Sequence, residues 1–252
     1  MIEKHLDIPT ADGAMNAFVV YPEENAPFPV VLFYMDAPGK REELHDMARR
    51  LASVGYYVVL PNLYYRRVRE FELKERTPEG MKPMFEHMNS LTNAMTVRDT
   101  EAMLRFVDAQ PQADVRHVGA VGYCMSGPFV MAAAAAFPER IHAIAAIHGA
   151  NMVTERDDSP HLMAPRIRCE SYFACAETDI WAPPQTVEKL EAALQAGGTP
   201  YRLEWYPGAH HGFVFPRRTG VYHQPSAERH WERLFALFQR RLKAPQAASS
   251  AG

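Results

Sequence analysis

The chain repeatedly sets a short, almost uninterrupted apolar run ahead of a stretch whose apolar residues recur at helical spacing. Such a run makes a strand buried on both faces, and a sheet built of such strands has to be covered by helices on both sides. Pro29-Val30-Val31-Leu32-Phe33-Tyr34 is the first clear case. A helix over 42–54 follows, with Leu44, Met47, Ala48 and Leu51 at i, i+3, i+4 and i+7 and Gly55 at its stop. Strand 56–60 comes next, helix 96–109 leads to strand 117–121, and helix 127–137 leads to strand 143–147. Strand 171–174 with helix 186–196, then strand 202–206 with helix 227–242, complete the pattern. These crossovers predict an α/β fold with a doubly wound, mostly parallel sheet flanked by helices. Residues 15–21, following the Asp12-Gly13 turn signal, suit an edge hairpin. Segment 62–93, broken by Pro78, Gly80 and Pro83 and crowded with arginines in its first half, reads as an excursion outside the sheet.

With 252 residues, the expected organisation is one domain over 1–243 and a mobile tail over 244–252, rich in Ala, Ser, Pro and Gln. Lys plus Arg number 27 against 30 Asp plus Glu, a net charge of -3, so no diffuse positive field collects phosphates and nucleic acid is not an expected partner. The amino end is charged, and no uncharged apolar run of about 18 residues follows, so a cytoplasmic protein without membrane association is expected. Cys124, Cys169 and Cys175 are an odd count with no close Cys-x-x-Cys pair and read as reduced thiols. His142, His148, His210 and His211 lack a recognisable ligand spacing, so neither a metal nor another cofactor is expected. Monomer and homodimer both remain open.

The most specific motif is Gly122-Tyr123-Cys124-Met125-Ser126-Gly127, set directly between a buried strand and an Ala-rich helix. A nucleophile held on a strained strand-to-helix turn needs small neighbours, which Gly122, Ser126 and Gly127 provide. The start of the following helix favours a thiolate and leaves backbone N–H groups for an oxyanion. Ser126 fits the nucleophile role poorly, because a Gly-x-Ser-x-Gly frame would need glycine at Cys124 and Pro128. The bland alternative is a buried structural cysteine beside a tight turn.

A cysteine nucleophile needs a base and an orienting acid. In a fold of this class they follow the nucleophile as acid and then histidine. Asp179 comes after strand 171–174, while His210 and His211 come after strand 202–206. Read as a structural residue, Asp179 would be a turn or cap ahead of Pro183-Pro184, and either histidine a loop residue bonded to backbone.

At this point the sequence resembles the dienelactone hydrolase family, cysteine-dependent enzymes of the α/β-hydrolase fold. The resemblance rests on residues 46–52, on Gly55-Tyr56 leading to Leu60-Pro61-Asn62-Leu63-Tyr64, on the Gly-Tyr-Cys-Met elbow, on Asp179, and on Tyr206-Pro207-Gly208-Ala209-His210-His211-Gly212-Phe213. It implies that Cys124 attacks an ester or lactone carbonyl, that His211 moves the proton, that Asp179 orients His211, and that the Met125 and Ala37 N–H groups form the oxyanion hole. It also implies a carboxylate that contacts the resting thiol. Family members usually have glutamate there; this chain has Asp36, one methylene shorter, and a carboxylate beside the thiol would hold it protonated until substrate binds. Ser126 stands where the family commonly has glycine, which predicts a slightly altered elbow.

Dienelactone substrates carry a carboxylate, and family members that use them clamp it with arginine. Arg217 is the candidate clamp here, with Tyr64 and Phe213 as candidate pocket walls beside Tyr65 and Phe215. The expected partner is therefore a small-molecule ester or lactone. A general carboxylesterase or thioesterase acting on neutral acyl groups is the competing enzyme reading, and a non-catalytic binding module of the same fold is the third.

Overall fold

The computed structural model describes residues 1–243, and the tail assigned to 244–252 lies outside them. Eight strands form one sheet: β1 (Ile2–Thr10), β2 (Gly13–Tyr21), β3 (Phe28–Tyr34), β4 (Tyr57–Pro61), β5 (Ala113–Tyr123), β6 (Ile141–Ile147), β7 (Glu170–Thr178) and β8 (Tyr201–His210). Their order across the sheet is β1-β2-β4-β3-β5-β6-β7-β8. β1 and β2 pair antiparallel, β2 runs antiparallel to β4, and every other neighbour is parallel. Val30, Val31, Leu32 and Phe33 of β3 are fully buried, as the continuous apolar run requires.

Among the described residues six α-helices accompany the sheet: α1 (Glu42–Ser53), α2 (Pro78–Asn89), α3 (Asn93–Asp108), α4 (Gly127–Ala136), α5 (Pro184–Ala196) and α6 (Gln224–Leu242). Two glycines of β5 reveal the two covered faces. A Cβ on Gly119 would meet Phe238 and Leu242 of α6, whereas one on Gly122 would meet Ser126 and Val130 at the start of α4. Residues three apart on a strand point to opposite faces, so α6 and α4 cover opposite sides. All the alanines of α4 except its last are buried, as befits a helix packed both on the sheet and on α3.

Two elements depart from the sequence reading. β1 carries Glu3, Lys4, His5 and Asp7 among mostly exposed positions, yet it pairs with β2 along its whole length; an edge strand solvated on one side needs little apolar content. Segment 62–93 is not wholly irregular, because α2 forms within it, with Pro78 in its first turn and Thr77 accepting a hydrogen bond from the Gly80 N–H. Among the described residues no helix is long and apolar enough to cross a membrane.

Candidate active site

The loops that leave the carboxyl ends of β3, β5, β6, β7 and β8 converge at one end of the sheet, where ligands bind in open α/β folds. Cys124 follows β5 directly and adopts φ +55°, the left-handed conformation of a strained turn. The packing explains the small neighbours. A Cβ on Gly122 would lie 2.4 Å from the Ser126 carbonyl oxygen, and one on Gly127 would lie 2.7 Å from the Gly149 Cα. Ser126 is fully buried and its hydroxyl donates to the Met35 carbonyl, which ties the elbow to the loop after β3. The serine thus adds a tether where a glycine would add none.

His211 Nε2 lies 3.0 Å from Cys124 Sγ, and His211 Nδ1 lies 2.7 Å from Asp179 Oδ2. The other Asp179 oxygen accepts the Trp181 N–H at 2.8 Å, which fixes the carboxylate in the turn. Burial opposes a charge on His211, but its interactions with Cys124 and Asp179, electrostatic and hydrogen-bonded, outweigh it and push the imidazole pKa up to about 10. His210 instead ends β8, exposed and paired through its backbone with Thr178. The structure therefore brings Cys124, His211 and Asp179 together in hydrogen-bond sequence and leaves His210 out.

Ala37 lines the cavity with Cys124, and Met125 follows Cys124 in the chain. Met125 stands in the first turn after the elbow, where an N–H has no acceptor within the helix, and the Ala37 N–H takes no protein acceptor among the described residues. Tyr64 does not line the cavity, contrary to expectation. It is buried behind both amides, donating its hydroxyl to the Ala37 carbonyl at 2.9 Å, with Met125 Sδ 3.3 Å away.

Asp36 lines the same cavity as Cys124, but no hydrogen bond joins it to the thiol. Its carboxylate is held by both terminal nitrogens of Arg41, which also binds the Glu43 carboxylate and the Gly39 carbonyl. A buried guanidinium is a far stronger partner than a neutral thiol, and the short aspartate is drawn to it. Two further expectations are corrected. Arg217 points away from the cavity, with its N–H on Glu43 at 2.8 Å and its guanidinium 3.2 Å from Asp46. Phe213 is fully buried, stacked on Tyr206 at 5.0 Å with an interplanar angle of 27°, and supports the histidine loop from behind.

The cavity over Cys124 and His211 measures about 120 Å³. Arg76, Arg218 and Phe215 line it, together with Met81, Met84, Phe85 and Met88 of α2 and Trp181. Arg218 donates to the His211 carbonyl at 2.7 Å, and neither arginine has a carboxylate within ion-pair distance among the described residues. Burial, and then the like charge of Arg76, lower the proton affinity of Arg218. Behind the site, His148 is fully buried and packs perpendicular to the His211 ring at 4.8 Å; burial holds its pKa well below the usual histidine value.

An eight-stranded, mostly parallel sheet with a nucleophile-elbow turn at its carboxyl end defines the α/β-hydrolase fold. The family model described as the dienelactone hydrolase family matches residues 15–242. The chain belongs to that family and is a hydrolase of carboxylic ester bonds. It is 26% identical over 239 residues to a Synechocystis protein provisionally named carboxymethylenebutenolidase, covering 94% of this chain and 96% of the relative. It is 23% identical over 247 residues to the carboxymethylenebutenolidase of Pseudomonas putida, covering 97% and 100%. Among solved structures, a provisionally named dienelactone hydrolase from Klebsiella pneumoniae superposes with a TM-score of 0.84 at 25% identity, covering 95% of this chain and 98% of that one.

Proposed function

We propose that the protein hydrolyses an ester or lactone bearing a carboxylate, through an acyl-enzyme on Cys124. The observation that carries the reading is the Cys124–His211–Asp179 alignment, at 3.0 and 2.7 Å, on a left-handed elbow. The Cys124 sulfur attacks the carbonyl carbon, and the carbonyl electron pair moves onto oxygen, facing the Met125 and Ala37 N–H groups. Collapse breaks the bond to the leaving oxygen, which takes the proton from His211 Nε2. Water then attacks the thioester, His211 accepts its proton, and the acid departs as the thiol is restored. Asp179 keeps the ring in the required tautomer throughout.

Arg76 and Arg218 support the carboxylate. Two guanidinium groups in the cavity, neither in an ion pair among the described residues, favour an anionic substituent. The apolar wall of α2 and Trp181 favours the competing reading, a carboxylesterase or thioesterase for neutral acyl groups. Mass spectrometry after rapid quench with an activated ester tests the chemistry, since a single acyl adduct should appear on Cys124 and be absent from Cys124→Ala. Turnover without an adduct in the parent, or undiminished turnover in the variant, overturns it. Paired anionic and neutral esters with one leaving group decide between the two substrate classes.

A further inference from the structure

A second cavity opens beside the first. It measures about 110 Å³ and is lined by Met125, Pro128 and Phe129 next to the elbow and by polar side chains from α2 and the loop after β6. Met88 and Asn151 line both cavities, so the two share a wall over the nucleophile. Their chemistry differs. Beyond these shared residues, the first holds Cys124, His211, Arg76 and Arg218, whereas the second adds Asn89, Asn93, Thr154, Arg156 and Asp158.

Part of this polar wall is already satisfied internally. Arg156 binds the Asp158 carboxylate at 2.8 and 3.0 Å, and Asn93 donates to the Asp158 carbonyl at 2.8 Å. The side-chain amides of Asn89 and Asn151 take no protein partner among the described residues and are exposed, so they are open to a ligand as they are to water. Asn151 sits at φ +56°, and its neighbour Ala150 donates its N–H to the Cys124 carbonyl at 2.9 Å, which anchors this loop to the elbow.

We infer that the second cavity is the acyl subsite, and that it takes an acyl chain ending in a neutral hydrogen-bonding group such as an amide or hydroxyl. The inference rests on the acyl-enzyme reading above. In that chemistry the leaving oxygen lies against His211 Nε2 and the acyl carbon is bonded to Cys124 Sγ, and both residues line the first cavity. The leaving half takes the His211 side of that cavity, and the acyl chain, directed away from it, runs past Asn151 and Met125 into the second. Its volume matches roughly four water-sized groups at ~30 Å³ each, enough for a short functionalised chain. An amide carries both donor and acceptor, so Asn89 and Asn151 complement a neutral amide or hydroxyl better than a bare alkyl end. A charged end is disfavoured because Arg156 and Asp158 already neutralise one another.

The test uses p-nitrophenyl esters with one leaving group and three acyl groups: acetate, hexanoate and 4-acetamidobutyrate. For the parent, kcat/KM for the acetamido ester should exceed that for hexanoate by about tenfold, on the order of one well-placed hydrogen bond. In the double variant Asn89→Leu/Asn151→Gly, whose glycine tolerates the left-handed backbone, that ratio should fall to near one. The ratio compares substrates on one protein sample, so partial misfolding leaves it intact. A parent preference for hexanoate, or an undiminished ratio in the double variant, overturns the subsite. The acyl adduct on Cys124 is read in the same samples; its absence with all three esters would sink the acyl-enzyme reading instead.

Discussion

Removing the positive charge of Arg41 should unbalance a buried cluster on which three loops converge. Its guanidinium lies between Asp36 and Glu43, and the three side chains are only 8%, 3% and 8% exposed in that order. Arg41→Met keeps most of the volume but leaves two carboxylates without their cation. Glu43 retains the Arg217 N–H, while the Asp36 carboxylate has no other partner among the described residues. Breaking a buried pair from one side costs about 3–5 kcal/mol, a large part of the ~5–15 kcal/mol that holds a domain together. At ~2–4 °C per kcal/mol for a domain of this size, Tm should fall by roughly 6–20 °C.

The pH dependence has a definite sign. In the variant, stranded carboxylates are more easily protonated in the folded state than in the unfolded one, so the loss is greatest at high pH and shrinks as the pH falls through their raised folded values. Thermal melts at pH 5 and pH 8 measure both effects, and adding Asp36→Asn to Arg41→Met should restore part of the loss. A Tm change within 2 °C, or strict additivity of the two substitutions, would refute the argument. Alkylation of Cys124 by iodoacetamide gives a second readout. With Asp36 released into the cavity it shares with the sulfur, Arg41→Met should slow alkylation below about pH 8, because a nearby negative charge opposes the thiolate.

The remaining expectations concern the site itself. His211→Ala should lower kcat/KM at least ~100-fold, the scale of general acid–base assistance, and His210→Ala should stay near the parent; steady-state kinetics that rank them the other way would reassign the base. Arg218→Met should lower kcat/KM for carboxylate-bearing esters by roughly 10- to 100-fold relative to neutral ones, as loss of a charged hydrogen bond implies, while Arg217→Met leaves that ratio unchanged. Cys124→Ala removes the largest influence that raises the His211 pKa, so the ring titration followed by NMR should move down from about 10. A raised histidine contributes stability that is complete below its ordinary value near 6.5 and lost as pH rises through about 10, so the variant should lose less stability across that window than the parent. Coincident titration curves would show that the sulfur charge does not reach the ring.

The parallel strands were legible because burial on both faces leaves an unbroken apolar run, as in β3 and β6. β1 was not, since one partner and a solvated side place no such demand on its residues. Cys124, Asp179 and His211 stood out because strand ends and turn punctuation locate them along the chain. Side-chain direction is a different kind of information. Arg217 and Arg218 are adjacent, yet one pairs with Asp46 on α1 and the other lines the cavity; the turn that separates them follows Gly212 at φ +90°. Phe213 and Phe215 divide in the same way, one packed on Tyr206 and the other lining the cavity. No spacing rule distinguishes such neighbours, because the difference arises only when the loop closes on α1.

The exchange of glutamate for Asp36 takes its meaning from that closure. Arg41 stands over the Phe215 ring at 5.1 Å and binds Asp36 and Glu43, while Glu43 receives the Arg217 N–H. The loop after β3, the start of α1 and the histidine loop are thus joined through one buried cation. An acid one methylene longer could bridge from this cation toward the sulfur, whereas aspartate is held back at the cation. Its charge is spent on Arg41, and among the described residues His211 is left as the only ionisable group hydrogen-bonded to the thiol. The side chain in contact with the Cys124 sulfur is then the His211 imidazole, while the Asp36 carboxylate ties the loop after β3 to Arg41.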